Sequence, residues 1–128
     1  MIDKRLLKIA SNTKFYGLKN NYTYKTNLKN SICGDKISIE ISIKNNTIQE
    51  LRYETEACIF CQASASTLAN IAKNTNLGDL RKNLSKYLNL KKKIPKKFNN
   101  LTYLLKDKHT NRKDCILLPF KAFYKAIK

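Results

Sequence analysis

Apolar and polar positions alternate most cleanly from Lys36 to Lys44: Ile37, Ile39, Ile41 and Ile43 fall on one side, Lys36, Ser38, Glu40 and Ser42 on the other. A period of two over nine residues predicts a half-buried antiparallel strand. Asn45-Asn46 tolerates the positive φ values of a hairpin turn, and alternation resumes from Thr47 to Glu56 with Gln49, Leu51, Tyr53 and Thr55 on one side. Keeping the apolar faces together pairs Ile41 with Leu51 and Ile39 with Tyr53, which implies a three-residue loop, Asn45 to Thr47. The same register carried to the open end sets Gly34 opposite Cys58. It makes Cys33 a neighbour of Cys58 and places Asp35 on the side of Cys33. A further short strand is expected at residues 21–27, where Tyr22, Tyr24 and Thr26 alternate.

The rest of the chain has helical spacing. Ile2, Leu6, Ile9 and Ala10 share a face, with Asp3 in the first turn. An Ala- and Ser-rich helix should start near Cys58 or Cys61 and run to Asn74, and a second should span Leu77 to Leu90 with Leu77, Leu80, Leu84, Tyr87 and Leu88 at helical spacing. Pro95 punctuates a loop, Leu101 to Lys106 reads as a short helix, and Ile116 to Ile127 as the last. The expected class is α+β, a three-stranded antiparallel sheet packed by helices. At 128 residues the chain is expected to form one domain over residues 1–128.

The formal charge of +17 changes this picture less than it first suggests. The cations are overwhelmingly Lys, joined only by Arg5, Arg52, Arg81 and Arg112, and Asn and Ile are abundant beside them; all three types share A/T-rich codons. A strand-tracking site wants a basic stripe interleaved with Arg and aromatics. The densest run, Lys91 to Lys97, reads as a solvated loop between helices, so nucleic acid is not the expected partner. No apolar run approaches the roughly eighteen residues of a membrane span, and the first ten residues are broken by Lys8. The cytoplasm is the expected compartment, where thiols stay reduced and serve as metal ligands or reactive groups.

Four cysteines carry the candidate chemistry: Cys33 in Cys33-Gly34-Asp35, Cys58 and Cys61 three apart, and Cys115 after Arg112. A thiolate at the first turn of a helix is favoured by the dipole and by nearby cations, which suits metal binding, persulfide formation and disulfide exchange alike. Zinc takes four ligands from Cys, His and sometimes Asp, and Cys33, Asp35, Cys58 and Cys115 make up such a set. One carboxylate among thiolates would hold iron less firmly than four thiolates, as a transient cluster requires. Cys61, within the Ala/Ser helix, reads as a packing residue with an accessory role as the alternative. His109, the only histidine, lies in a polar stretch and reads as exposed.

Cys33-Gly34-Asp35, a hairpin, Cys58, Ala63-Ser64-Ala65-Ser66 and a late Cys115 leading into Leu118-Pro119 together resemble the IscU/NifU N-terminal/SufU family of iron–sulfur cluster assembly scaffolds. The resemblance covers most of the chain. It implies a surface site of Cys33, Asp35, Cys58 and Cys115, holding zinc or a transient [2Fe-2S] or [4Fe-4S] cluster. It also implies a cysteine desulfurase as sulfur donor and iron–sulfur acceptor proteins or other assembly machinery as partners. Cys115 is then the candidate sulfur acceptor and Arg112 a possible accessory. The protein is expected to be a scaffold or sulfur carrier rather than an enzyme in its own right. Arg112 and the long segment between Cys58 and Cys115 look closer to the SufU branch. Asp114 stands where the IscU branch has His, Ala57 where Gly is usual and Cys61 where Ser is common, and the IscU chaperone-recognition motif is missing. Two other readings remain open on the residues alone: a basic structural-zinc module that binds nucleic acid, and a thiol oxidoreductase using Cys58 and Cys61.

Overall fold

The computed structural model describes residues 3–31, 34–90 and 98–127. Helix α1 (Lys4–Ala10) is followed by strands β1 (Tyr24–Lys29), β2 (Lys36–Lys44) and β3 (Thr47–Glu56), helix α2 (Ile59–Ala72), strand β4 (Thr75–Asn76), and helices α3 (Leu77–Leu90), α4 (Asn99–Leu104) and α5 (Lys113–Ile127). A 3-10 segment, Asp107–Arg112, joins the last two helices.

The expected register is present, since Ile41 pairs with Leu51 and Ile39 with Tyr53. The turn is shorter than the expected three residues. Lys44 pairs with Thr47, so only Asn45 and Asn46 lie between the strands, with φ of 53° and 62°, the geometry of a tight hairpin turn. A bulge between Ser42 and Ile43 absorbs the difference. It leaves Gln49 exposed and turns Ile48 into the core, because an extra residue reverses the inward side. Strand β1 lies three residues later at its start than expected, and Tyr22 precedes it.

Among the described residues the sheet has four antiparallel strands in the order β1-β2-β3-β4. The unexpected fourth is two residues long and pairs with Thr47 and Ile48, too short to leave an alternation signal. The helices cover the isoleucine face. Helix α2 packs against β3, α1, α4 and α5, while α5 lies along β1 and β2. Wedged between these neighbours, α2 buries eleven of its fourteen residues, which explains its small Ala and Ser side chains: larger ones would hold the elements apart.

The polar face of the sheet has its own work. Glu40, expected in solvent, is 2 % exposed. Its Oε1 accepts the backbone N–H groups of Lys19 and Asn20 at 2.9 and 3.1 Å, and Lys25 lies 3.8 Å from Oε2. Arg52 donates to the carbonyls of Gly17 and Tyr16, and Glu54 accepts from Leu18 N–H. These strand side chains pin the weakly patterned stretch before β1 by satisfying its backbone groups.

Asp3 joins the two ends of the chain. Its carboxylate accepts from Leu6 N–H at the start of α1, from the Tyr103 hydroxyl on α4, and from Lys108 at 3.2 Å. The Tyr103 and Leu6 hydrogen bonds hold its carboxyl well below the usual carboxylate range. A depressed folded-state value means that its stabilisation is complete above the ordinary carboxylate value and is lost as pH falls through the folded one. The Asp3→Asn protein should therefore melt below the native chain at neutral pH, with the gap closing below about pH 4. Melting curves across pH check this; a gap that widens in acid would contradict it.

Candidate functional site

The closed end of the β1–β2 hairpin and the open end of the β2–β3 hairpin coincide, since Lys36 pairs with both Lys29 and Glu56. The connection between β1 and β2 folds back through Gly34 N–H to Asn30 and Asn30 N–H to the Asp35 carbonyl, both at 2.8 Å. Gly34 has φ +79°, a left-handed conformation that glycine adopts without strain. That turn delivers Asp35 to the end of β3, where Cys58 caps α2.

Cys58 is the residue before the first turn of α2, with extended φ/ψ and no side-chain cap of its own. Its N–H instead faces Asp35 Oδ1 at 3.4 Å, from the residue just before β2. Cys115 is the third residue of α5 and is buried. The two helices pack together, and Ser64 Oγ on α2 donates to the Ile116 carbonyl on α5, next to Cys115. Pro119 within α5 has no N–H to return to the Cys115 carbonyl, so the first turn of α5 lacks one bond of the regular helical ladder.

The candidate ligand atoms of Asp35, Cys58 and Cys115 all lie within 4.8 Å of one another. Three atoms so spaced share a point no more than about 2.8 Å from each, slightly beyond a zinc–thiolate bond of about 2.3 Å. Asp35 is 8 % exposed, and its Oδ2 is buried without a hydrogen-bond partner among the described residues. A buried carboxylate oxygen in that state beside two thiols is a donor set suited to a cation, whose charge would offset the desolvation of the three acidic groups. Cys58, only half-buried, leaves the group open to solvent on one side.

Cys33, the fourth expected member, lies outside the described residues, as do the Lys91 to Lys97 loop and Ile2. Cys61 is 0 % exposed within the hydrophobic core and does not belong to the Asp35, Cys58 and Cys115 group. Arg112 is exposed at the end of the 3-10 segment, with its guanidinium carbon 5.9 Å from the centroid of the Phe60 ring. His109 corrects the sequence expectation, being 3 % exposed rather than on the surface. Its Nδ1 lies 3.1 and 3.0 Å from the carbonyls of Tyr103 and Leu104 at the end of α4, and its ring packs edge-on against Phe60 and Tyr103. It closes the wall behind the first turn of α2. A lone histidine among polar residues carries no periodicity, and only the folding of α4 onto α2 encloses it.

With this fold and this grouping, the chain belongs to the NifU-like N-terminal domain family, whose model matches residues 3–128. An uncharacterised protein of Borreliella burgdorferi is 36% identical over 128 aligned residues, covering 93% of this chain and 84% of that protein. The iron-sulfur cluster assembly scaffold protein IscU of Thermotoga maritima is 29% identical over 68 residues, 53% of this chain and 48% of its own. Among solved structures, an iron-sulfur cluster assembly scaffold protein for the SUF system from Fervidobacterium islandicum shares the fold with a TM-score of 0.84 at 19% identity, over 99% of this chain and 96% of that one. A NifU-like N-terminal protein from Brucella abortus gives 0.81 at 22%, over 98% and 90%. The family is that of iron–sulfur cluster assembly scaffolds, and no helix among the described residues is long and apolar enough to cross a membrane.

Proposed function

We propose that the protein is an iron–sulfur cluster assembly scaffold or sulfur acceptor that works with a cysteine desulfurase, using Cys33, Asp35, Cys58 and Cys115 as its site. The observation that carries this reading is the convergence of Asp35, Cys58 and Cys115, from three separate elements, around a buried carboxylate oxygen with no protein partner among the described residues. In sulfur transfer the Cys115 thiolate attacks the outer sulfur of a persulfide on the desulfurase. The donor's S–S bond breaks, its own cysteine leaves as the thiolate, and a Cys115 persulfide forms with no net oxidation. Iron arrives as cargo, and an external electron donor, such as a dithiol or a reduced electron-transfer protein, supplies two electrons for each persulfide sulfur released as sulfide. The cluster then leaves for an acceptor protein. Cys33 and Cys58 hold the cargo, and Asp35, the single oxygen donor, is the ligand that lets go first, since carboxylate binds iron less firmly than thiolate. Zinc fits the same donors and is the alternative occupant. The antiparallel sheet supplies no βαβ context for a Cys58–Cys61 redox pair.

Metal analysis and the visible spectrum of freshly purified protein, followed by anaerobic reconstitution with iron, cysteine, a dithiol and a desulfurase, test the proposal. A sulfide-to-iron chromophore, or a zinc-dependent rise in desulfurase turnover, is the expected result. The Asp35→Cys variant should form the chromophore but pass it to an apo-acceptor roughly tenfold more slowly. Neither chromophore nor stimulation in the native protein would defeat the proposal.

A further inference from the structure

Hairpin register brings Asp35 to Cys58, but nothing so local places Cys115. It stands in the first turn of α5, which is entered through the 3-10 segment Asp107–Arg112; Lys113 both caps that segment and opens the helix. Whatever holds the segment therefore sets where Cys115 stands. Lys108, Thr110, Asn111 and Arg112 are exposed, whereas His109 is 3 % exposed and turned inward.

The two ring nitrogens of His109 are used unequally. Nδ1 lies 3.1 and 3.0 Å from the carbonyl oxygens of Tyr103 and Leu104, and because those atoms can only accept, Nδ1 carries a proton. Both carbonyls belong to the last turn of α4, where a helix leaves its C=O groups without donors of its own. Nε2 is buried with no hydrogen-bond partner among the described residues. An unpaired buried nitrogen costs free energy that a phenyl ring of similar size would avoid, so the polar return of this histidine lies in Nδ1 alone. The ring also meets Phe60 and Tyr103 edge-on, with centroids 5.3 and 5.1 Å apart. Aromatic pairs tolerate separations of about 4.5–7 Å, whereas a hydrogen bond weakens steeply with misalignment and so fixes a position. The anchor itself is firm. Leu101 and Leu104 of α4 are fully buried, and the Tyr103 hydroxyl donates to Asp3 before α1.

We propose that His109 is a positioning residue for the cysteine site, its Nδ1–H docking the 107–112 segment on the end of α4 and thereby fixing Cys115 against Cys58 and Asp35. The inference rests on the reading of those three residues as one metal-holding site. Two substitutions separate the hydrogen bond from the packing. In His109→Asn the amide nitrogen takes the place of Nδ1 and keeps the bond without the ring, whereas in His109→Phe the ring stays and the donor goes. Hydrogen exchange of the metal-free full chain and a competition titration with zinc read the outcome. His109→Asn should exchange across residues 107–116 within about twofold of the native rate and bind zinc as the native chain does, the conservative donor rescuing the site. His109→Phe should exchange there at least about tenfold faster and hold zinc about tenfold more weakly, the size of one buried hydrogen bond. A residue that only stabilises the fold would lower the melting temperature and leave the zinc affinity of the folded chain unchanged. Leu84→Ala, at a fully buried position on α3, should behave in that way. The reverse order, with His109→Phe native-like and His109→Asn impaired, overturns the proposal. So do equal losses in the two variants, or native zinc affinity in His109→Phe. A native chain that binds no zinc counts against the proposed function instead, and the order of exchange rates then decides the role of His109 by itself.

Discussion

The Cys115→Ser protein is expected to accept no sulfur from a desulfurase and to hold metal at least about 100-fold more weakly than the native chain. That exceeds the 10–100-fold cost typical of losing an outer-sphere partner, because a donor atom itself is removed. Serine keeps the size of the buried side chain and the first turn of α5, so the circular dichroism spectrum should be unchanged. Its hydroxyl is neither a thiolate nor a nucleophile towards persulfide at neutral pH. Cys58→Ser should lose metal to a similar degree. Cys61→Ser should keep both activities, since Cys61 belongs to the core and not to the Asp35, Cys58 and Cys115 group. Mass spectrometry of the persulfidated protein and a metal competition titration read the two effects separately. Unimpaired sulfur uptake by Cys115→Ser would remove Cys115 from the role assigned to it. Loss of uptake in Cys61→Ser with the fold intact would move the site one turn along α2.

The largest effect on stability is expected at Leu68, the 0 % exposed leucine in the middle of α2. Truncation to alanine removes its contacts and leaves a cavity that the surrounding layers close only in part, at a cost of about 2–5 kcal/mol. Domains of this size are stable by about 5–15 kcal/mol, so the change consumes a substantial share of the total. Because α2 carries Cys58 and packs against the helix of Cys115, the loss also spreads to the site. Metal-dependent stabilisation should persist but start from a lower baseline. Urea denaturation with and without zinc measures both, and Lys82→Ala on the exposed side of α3 is the control. A cost below about 1 kcal/mol would mean that α2 is not the central packing element.

The Ile37, Ile39, Ile41 and Ile43 pattern was enough to predict β2, its hairpin partner and their register, because one buried face permits a single pairing. Asn45-Asn46 marked the turn, but its length depended on a bulge, and a bulge has no composition signal of its own. The helices followed from their apolar spacing to within a few residues. The two-residue strand β4 was invisible for want of length. Glu40 was misplaced because the pattern records which face is polar and not what later folds over that face.

For the candidate site the division is similar. Local pattern was enough to place thiols and a carboxylate at the edges of regular elements, and to bring Asp35 through the hairpin towards the start of the helix after Cys58. Cys61, read from the sequence as a packing residue, does lie in the core; only the packed structure shows Cys115 beside Asp35 and Cys58 and His109 buried behind Phe60. The physical reason is range. Strand alternation and hairpin register are local constraints, set by backbone geometry within a few residues. The approach of α5 to α2 depends on how small side chains, the Ser64 bond to Ile116 and the packing of whole helices resolve together, and no short window of sequence contains that sum.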